Sequence, residues 1–336
     1  TVGGDIISNG GIGINIDHGG AATVEGEITG TATYIKLNST DFDAEDYGDQ
    51  IGGYNVYQAA VITGEDTVYS TARVKIASPA VCEVDGVEYA TLDDGIAAAL
   101  ADWDTVKLLA NIEYEGQLSP AFAEYPGVDL YINLNGHTLN VTNNAGPALV
   151  ADGRSIEIYG DGAFNVTGTT YGAYACNGGS AEVTNSTATA NGGIAVCAQT
   201  DGSSACSVTV YGDATANSPD SIGVLASNMN SRVTIYGDIS ASGTEGTGVK
   251  VLNGGMVTAR GYIEAEKYIN IENSIVNEGN YDTIENNYYI YIGGDNRVEA
   301  RQEVCTLNGD PYLFLEDAFA DCESGEQLRY IRINDK

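Results

Sequence analysis

The fold is decided by two nearly identical segments, SVTVYGD at Ser207–Asp213 and RVTIYGD at Arg232–Asp238. In both, valine or isoleucine alternates with a polar residue, the period-2 pattern of a strand with one buried face. Looser copies are SIEIYGD at Ser155, AEVTNS at Ala181 and MVTARG at Met256. The period is about 25 residues, and a unit this short cannot bury its apolar face alone, so neighbouring units must stack.

Each repeat also contains another strand, which begins at a glycine. The copies are GPALV at Gly146, GAYAC at Gly172, GIAVC at Gly193, GVLAS at Gly223 and GVKVL at Gly248. Two strands per repeat, stacked as rungs about 4.8 Å apart, predict an all-β parallel β-helix, or solenoid. A β-sandwich of hairpins is the alternative. Hairpins favour two-residue turns, however, and the connections here are longer and irregular.

A longer repeat overlies the short one. GIGINIDHGGAATVEG (Gly11–Gly26) matches GTGVKVLNGGMVTARG (Gly246–Gly261), and VCEVDGVEYATLDDGIAAAL (Val81–Leu100) matches VCTLNGDPYLFLEDAFADC (Val304–Cys322). We therefore expect three parts that belong to a tandem array. They are the last rungs of one β-helix unit at 1–79, a complete unit at 80–302 and the start of a further unit at 303–336.

Each long unit is predicted to open with a short helix. Thr91 is a candidate N-cap with Asp94 three residues later, a capping-box pattern, and Leu92, Ile96 and Leu100 recur at helical spacing. A helix near 91–101, with an equivalent at 315–322, would cover the open end of the solenoid, where a terminal rung exposes its core and its unpaired edge.

Three consecutive segments carry a resemblance to a known group of proteins. VCEVDGVEYATLDDGIAAAL, DTVKLLANI (Asp104–Ile112) and VDLYINLNGHTLNVT (Val128–Thr142) resemble repetitive secreted and cell-surface proteins of anaerobic Gram-positive bacteria. The resemblance covers roughly residues 80 to 265. It implies a right-handed parallel β-helix similar to that of pectate lyases and a location outside the cell. It implies little about function, because β-helices include both enzymes and adhesins.

The charge balance excludes several classes of partner. The chain has 47 Asp and Glu against 14 Lys and Arg, a formal net charge of -33, so we expect no nucleic-acid partner and no binding to anionic lipid. Polyuronates would also be repelled unless divalent cations bridged them to the protein. No apolar run approaches the roughly 20 residues of a membrane span, so we expect no membrane insertion.

The histidines and arginines do not form a catalytic pattern. His137, in LNGHTL, lacks the Asp pair and the basic motif of β-helical polygalacturonases and is predicted to lie in a turn after Asn-Gly. His18, in DHGG, is replaced by Asn253 in the matching segment, which also indicates a turn. Only Arg260 among the solenoid arginines Arg154, Arg232 and Arg260 is predicted to point outward, and no carboxylate cluster accompanies it.

The outward positions of the YGD segments suggest a ligand surface. By alternation, Tyr159, Tyr211 and Tyr236 point away from the core, and Asp213 and Asp238 follow two of them. Aromatic rings beside carboxylates bind the apolar faces and the hydroxyl groups of sugars. The alternative, which we favour, is that stacked side chains only stabilise the parallel rungs.

Two further sites are predicted, one for a metal and one for a disulfide. DFDAEDYGD places Asp41, Asp43, Glu45 and Asp49 at a spacing that can surround calcium, although a solvated acidic loop is the favoured interpretation. Cys176 and Cys197 are both the fifth residue of their strands, so stacking would bring their Cα atoms within disulfide range; two reduced thiols are the equally weighted alternative.

The sequence therefore favours a non-catalytic, secreted or cell-surface β-helix that serves in adhesion, glycan binding or envelope structure. Polysaccharide or host glycan is the expected partner, and calcium is the one candidate cofactor. The alternative is a polysaccharide lyase or glycoside hydrolase with a groove along the solenoid.

Overall fold

The computed structural model of the protein describes residues 1–8, 10–18, 20–29, 33–51, 54–63, 66–75, 79–119, 128–201, 204–301, 305–307, 310–313, 315–322 and 328–330. The chain forms two compact units, an N-terminal unit at residues 1–79 and a large unit at residues 80–336. Both units are built almost entirely from short strands.

The strands of the N-terminal unit, in chain order, are β1 (Ile6–Ile7), β2 (Ile12–Ile16), β3 (Ala21–Val24), β4 (Ile28–Thr29), β5 (Thr33–Leu37), β6 (Thr40–Phe42), β7 (Asp49–Ile51), β8 (Tyr54–Thr63) and β9 (Asp66–Lys75).

The large unit begins with a hairpin and a helix. Its elements up to residue 199 are β10 (Cys82–Val84), β11 (Val87–Tyr89), α1 (Leu92–Asp102), β12 (Thr105–Leu108), β13 (Ile112–Glu115), β14 (Leu130–Asn133), β15 (Thr138–Asn143), β16 (Leu149–Asp152), β17 (Ser155–Tyr159), β18 (Ala163–Gly168), β19 (Tyr171–Cys176), β20 (Ser180–Val183), β21 (Asn185–Ala188) and β22 (Ile194–Gln199). The remaining elements are β23 (Cys206–Val210), β24 (Ala214–Thr215), β25 (Ile222–Ser227), β26 (Ser231–Ile235), β27 (Ile239–Ala241), β28 (Thr247–Leu252), β29 (Met256–Ala259), β30 (Ile263–Ala265), β31 (Lys267–Ile271), β32 (Ser274–Val276), β33 (Thr283–Glu285), β34 (Tyr288–Gly293), β35 (Asn296–Arg301), β36 (Cys305–Leu307), β37 (Asp310–Tyr312), α2 (Leu315–Asp321) and β38 (Leu328–Tyr330).

Three parallel sheets form the walls of the large unit. Sheet I runs β12-β14-β17-β20-β23-β26-β29-β35, sheet II runs β13-β15-β18-β21-β24-β27-β30, and sheet III runs β16-β19-β22-β25-β28-β31. Through the middle of each sheet, successive neighbours are three strands apart in sequence, so each turn of the chain contributes one strand to each wall. The predicted parallel β-helix is confirmed, and the β-sandwich alternative is wrong. The prediction counted two strands per repeat, whereas the structure has three.

The core lies inside these walls and is filled by the alternating apolar residues. Val208 and Val210 on β23 pair with Val233 and Ile235 on β26, and all four are almost completely buried. Each such side chain contributes about 1.5–3 kcal/mol when it leaves water. Sheet III supplies mainly alanine and valine at its inward positions.

Helix α1 closes the start of the solenoid, as predicted. The Thr91 side chain accepts a hydrogen bond from the Asp94 N–H (3.2 Å), and Leu92, Ile96 and Leu100 are buried. Gly95 is required because a Cβ atom there would lie 2.5 Å from the sulfur of Cys82. Burial raises the pKa of the Cys82 thiol to about 11.

Antiparallel hairpins close the other end. Strand β32 folds back on β31 in sheet III, and β34 and β33 fold back on β35 in sheet I. The buried Tyr291 hydroxyl donates to the carbonyl oxygen of Glu278 (2.6 Å), which ties the hairpin to the preceding loop. The added strands cover edges that would otherwise be free to pair with another chain.

The N-terminal unit repeats this closure. Strands β2, β5 and β6 pair as β28, β31 and β32 do, and β3, β9, β8 and β7 pair as β29, β35, β34 and β33 do. Tyr57 is buried and donates to the Ala44 carbonyl oxygen (2.5 Å). These two residues correspond to Tyr291 and Glu278 in the long repeat. The long sequence repeat is therefore also a structural repeat.

The opening elements recur as well. Cys82 pairs with Tyr89 and with Leu108 in antiparallel fashion, and Cys305 pairs in the same way with Tyr312 and Tyr330. Helix α2 follows β37 as α1 follows β11. That the chain belongs to a longer tandem array stays a prediction.

Candidate binding surface

The outer side of sheet I, which we call the tyrosine face, carries the predicted ligand-binding tyrosines. Tyr211 and Tyr236 directly follow the paired residues Val210 and Ile235, and their ring centroids lie 5.6 Å apart with an interplanar angle of 32°. Both rings point outward, as expected, and are 47% and 40% exposed. The guanidinium carbon of Arg260 lies 4.2 Å from the centroid of the Tyr236 ring.

This arrangement decides which part of each ring a ligand can reach. Tyr236 lies between Tyr211 on one side and Arg260 on the other. The stack therefore presents ring edges and hydroxyl groups to solvent, together with the outer side of Tyr211. Tyr159 is 48% exposed but is not the next member of the stack. The residue beside Tyr211 on the preceding rung is Thr184, whose carbonyl oxygen accepts from the Gly212 N–H (2.7 Å).

The two aspartates of the YGD segments act mainly on the backbone. Asp213 Oδ1 accepts from the Asp238 N–H, and Asp238 Oδ1 accepts from the Tyr262 N–H, both at 2.8 Å. The glycine of the motif makes room for this contact, because a Cβ atom at Gly237 would overlap Asp213 Oδ1. One carboxylate oxygen of each aspartate is thus used in a turn, which supports the structural interpretation for Asp213 and Asp238.

The aspartates continue a ladder of asparagines that the sequence analysis missed. On sheet II, Asn165 Nδ2 donates to Asn140 Oδ1 and Asn185 Nδ2 donates to Asn165 Oδ1, both at 2.9 Å. Asn185 Oδ1 in turn accepts from the Asp213 N–H (2.8 Å). The signal was present as three Asn-x-Thr segments, NVT at 140–142, NVT at 165–167 and NST at 185–187, each at the same place in its rung.

A pair of glutamates on the tyrosine face was also missed. Glu157 and Glu182 lie on adjacent rungs, because the preceding residues of their strands pair as Ser155–Ser180 and Ile156–Ala181. Their other neighbours on the sheet are Tyr131, beside Glu157, and Thr209, beside Glu182. Burial raises the pKa of Glu157, and the neighbouring Glu182 and Asp129 carboxylates raise it further. Burial and the Glu182 carboxylate likewise raise the pKa of Tyr211.

Both histidines lie in turns. Asn135 and Gly136 have positive φ angles of 50° and 81°, and the His137 N–H donates to the Leu134 carbonyl (2.8 Å), which is a tight two-residue turn. His18 has a φ of 55°, close to the 52° of its counterpart Asn253. The His18 N–H donates to Asn38 Oδ1 (3.0 Å). The structure agrees with the turn interpretation of both residues.

The predicted alignment of Cys176 with Cys197 is wrong. Cys197 pairs with Tyr174 and Cys176 pairs with Gln199, so the two cysteines are diagonal neighbours, and both are free thiols. With rungs about 4.8 Å apart and a rise of about 3.3 Å per residue, their Cα atoms are about 8 Å apart, beyond disulfide range. The error is a shift of the register along the strand. Burial raises the pKa values of Cys176 and Cys197 to about 11 and about 12.

The acidic segment of the N-terminal unit is held by local contacts. Asp41 forms an ion pair with Lys36 (2.9 Å), and the Asp43 N–H donates to Asp46 Oδ2 (2.8 Å). Across the described ranges, no group of three or more His, Cys, Asp or Glu side chains is placed to hold a metal ion. Calcium binding by Asp41, Asp43, Glu45 and Asp49 stays a prediction.

A shallow depression of about 470 Å³ lies at the closed end of the solenoid. Its lining includes Ile271, Ile292 and Glu272. Glu272 Oε1 accepts from the Asn253 N–H (2.5 Å) and from Asn296 Nδ2 (2.8 Å), and these bonds lower the pKa of Glu272. Its carboxylate thus ties the end hairpin to the last full coil.

Comparisons with known proteins give no assignment. No family model, no curated protein and no solved structure matches the chain. Within the residues that the structure describes, neither helix is long and apolar enough to span a bilayer.

Proposed function

We propose that this chain is a non-catalytic part of a secreted or cell-surface β-helix protein, and that its tyrosine face binds polysaccharide or host glycans in adhesion or in the cell envelope. The observation that carries the proposal is the exposure of Tyr159, Tyr211 and Tyr236 on one wall of a regular solenoid. Exposed tyrosines offer apolar area together with a hydroxyl group, at low conformational cost.

The rigidity of the wall supports this role. Asp213 and Asp238 fix the turns beside the tyrosines through backbone hydrogen bonds, so little conformational entropy is lost when a ligand binds. Glu157 and Glu182 lie in the neighbouring row, where their oxygens can accept hydrogen bonds from sugar hydroxyls. Tyrosine edges and carboxylates together match the mixed apolar and polar surface of a sugar ring.

A glycoside hydrolase is the second candidate, favoured by the pairing of Glu157 with Glu182. Adjacent rungs are about 4.8 Å apart, close to the roughly 5–5.5 Å between the two carboxyl groups of retaining glycosidases. The raised pKa of Glu157 is the property that a general acid needs, and the neighbouring carboxylate would act as nucleophile.

Binding and cleavage on an array of plant, mucin and bacterial cell-wall glycans would test both candidates. We expect binding without products, and weaker binding by Tyr211→Ala and Tyr236→Ala. Tyr69→Ala is the matched control, because Tyr69 is 58% exposed but lies in the N-terminal unit. Equal binding by all variants would refute the role of the tyrosine face. Reducing-end products that disappear in Glu157→Gln would establish the hydrolase instead.

A further inference from the structure

We propose that Arg260, stacked on Tyr236, binds the oxyanion of an acidic sugar, a carboxylate or a sulfate ester, so that the tyrosine face selects anionic glycans. This inference rests on the proposed function and names the ligand class of the same surface. The overall charge of -33 repels polyanions at long range. Binding of an acidic sugar therefore depends on the local arrangement of cations at one end of sheet I.

Arg260 has no ion-pair partner among the described residues, in a protein with a large excess of carboxylates. Five ion pairs join described residues, and none includes Arg260. Its Nε–H is buried and has no hydrogen-bond partner in that part of the chain. Its guanidinium instead lies over the Tyr236 ring. With 47 acidic residues in the chain, a guanidinium that merely stabilised the fold would be expected to face one of them.

Other cations lie on the same end of the tyrosine face. The pairing of Ala259 with Ala300 places Arg301 on the rung after Arg260, and Arg232 pairs with Met256 on the same wall. The prediction that only Arg260 points outward is wrong for Arg232, which is exposed and whose guanidinium contacts the sulfur of Met256 (3.5 Å). One carboxylate of the face, Glu299, lies at this end beside Thr258, where it forms an ion pair with Arg297 (2.7 Å). The other two, Glu157 and Glu182, lie toward the opposite end of the sheet.

The stacking on Tyr236 prepares Arg260 for this task. A guanidinium is planar, and its fork of N–H groups matches the two oxygens of a carboxylate; the contact with the Tyr236 ring (4.2 Å) restricts where that fork can lie. The ring also shields one side from water, which strengthens an ionic hydrogen bond at the outer edge. The exposed edges of Tyr236 and Tyr211 lie next to it, where they can contact the rest of the sugar.

The test compares glycans that share one neutral core and carry no charge, a sialic acid or a sulfate ester, bound to the whole chain in solution. We expect the parent protein to prefer the acidic glycans and to lose that preference as salt rises. Since a hydrogen bond to a charged group contributes a factor of roughly ten to a hundred, Arg260→Gln should weaken acidic-glycan binding by about that factor and abolish the preference for acidic over neutral glycans.

Two further variants separate charge from geometry. Arg260→Lys keeps the charge but not the planar fork, so we expect partial rescue with sulfate and less with carboxylate. Arg73→Gln removes an exposed arginine from the N-terminal unit and should change nothing. The sialylated and sulfated arms show which oxyanion is preferred.

The possible failures differ from one another. Binding of neutral and acidic glycans with equal affinity, or acidic-glycan binding that survives Arg260→Gln, overturns the role of Arg260 and leaves the proposed function standing. No binding to any glycan in the set overturns both.

Discussion

The glycine of the YGD motif gives the sharpest test of how the solenoid is built. In Gly237→Ala, the new Cβ atom would overlap Asp213 Oδ1 and would lie 2.5 Å and 2.6 Å from the carbonyl carbon and oxygen of Gly212. The neighbouring backbone belongs to the rung below and cannot rotate away as a flexible side chain would. Because the Cβ atom meets both the aspartate and the Gly212 backbone, two routes are taken together: the rungs separate locally, and the aspartate leaves its turn.

The size of the effect follows from these two routes. Overpacking against a fixed neighbour costs about 1–3 kcal/mol, and loss of the hydrogen bond from the Asp238 N–H to the Asp213 carboxylate (2.8 Å) costs about 1.5–3 kcal/mol. We expect Gly237→Ala to lower the free energy of unfolding by about 3–5 kcal/mol. In a unit of this size, each 1 kcal/mol shifts Tm by about 2–4 °C, so the transition should fall by roughly 6–20 °C.

Thermal and urea unfolding followed by circular dichroism would measure this loss. Gly279→Ala is the matched control, because a Cβ atom at Gly279 meets no atom within 4 Å, and its stability should stay equal to the parent's or rise by up to about 1 kcal/mol. If Gly237→Ala and the parent protein unfold at the same temperature and urea concentration, the close contact with Asp213 and Gly212 is not the reason for the glycine in YGD.

Four further predictions concern the ladders, the buried tyrosine and the buried thiol. Asp213→Asn should leave the unfolding transition within about 0.5 kcal/mol of the parent's, because Asn185 makes the same backbone contact one rung earlier; a large loss in urea unfolding would mean that the charge is required. Asn165→Ala should cost about 1–3 kcal/mol, since Asn165 both donates and accepts in the ladder, and an unchanged midpoint would contradict its role. Tyr291→Phe should cost about 0.5–1.5 kcal/mol through loss of the bond to the Glu278 carbonyl, while Tyr288→Phe at a half-buried position of the same strand serves as control. Cys82 has a folded pKa of about 11 against an ordinary 9.0, so its contribution to the free energy of unfolding is complete below pH 9 and is lost as the pH rises toward 11. Titration of the native protein with a thiol reagent should show Cys82 unreactive at about pH 8. Rapid labelling of Cys82 at that pH would refute the burial.

The sequence alone determined the solenoid, the long repeat and the capping helix. Period-2 alternation assigns a face to each residue in a strand, so the outward positions of Tyr211 and Tyr236 and the buried positions of Val208 and Val233 followed directly. The repeat length predicted stacking, and Thr91 with Asp94 gave the start of α1.

Only the tertiary structure decided the register between rungs. Ser155 pairs with Ser180, Asn165 with Asn185 and Val183 with Val210, so the length of chain in one turn differs from pair to pair. Alternation does not detect such shifts, because a displacement by an even number of positions keeps every side chain on the same face. For this reason the sequence placed Cys176 beside Cys197 and missed the glutamate pair, the asparagine ladder and the stacking of Arg260 on Tyr236. Which face a residue occupies is a local property of the strand, whereas its neighbour on the next rung depends on how much chain each corner of the coil takes up.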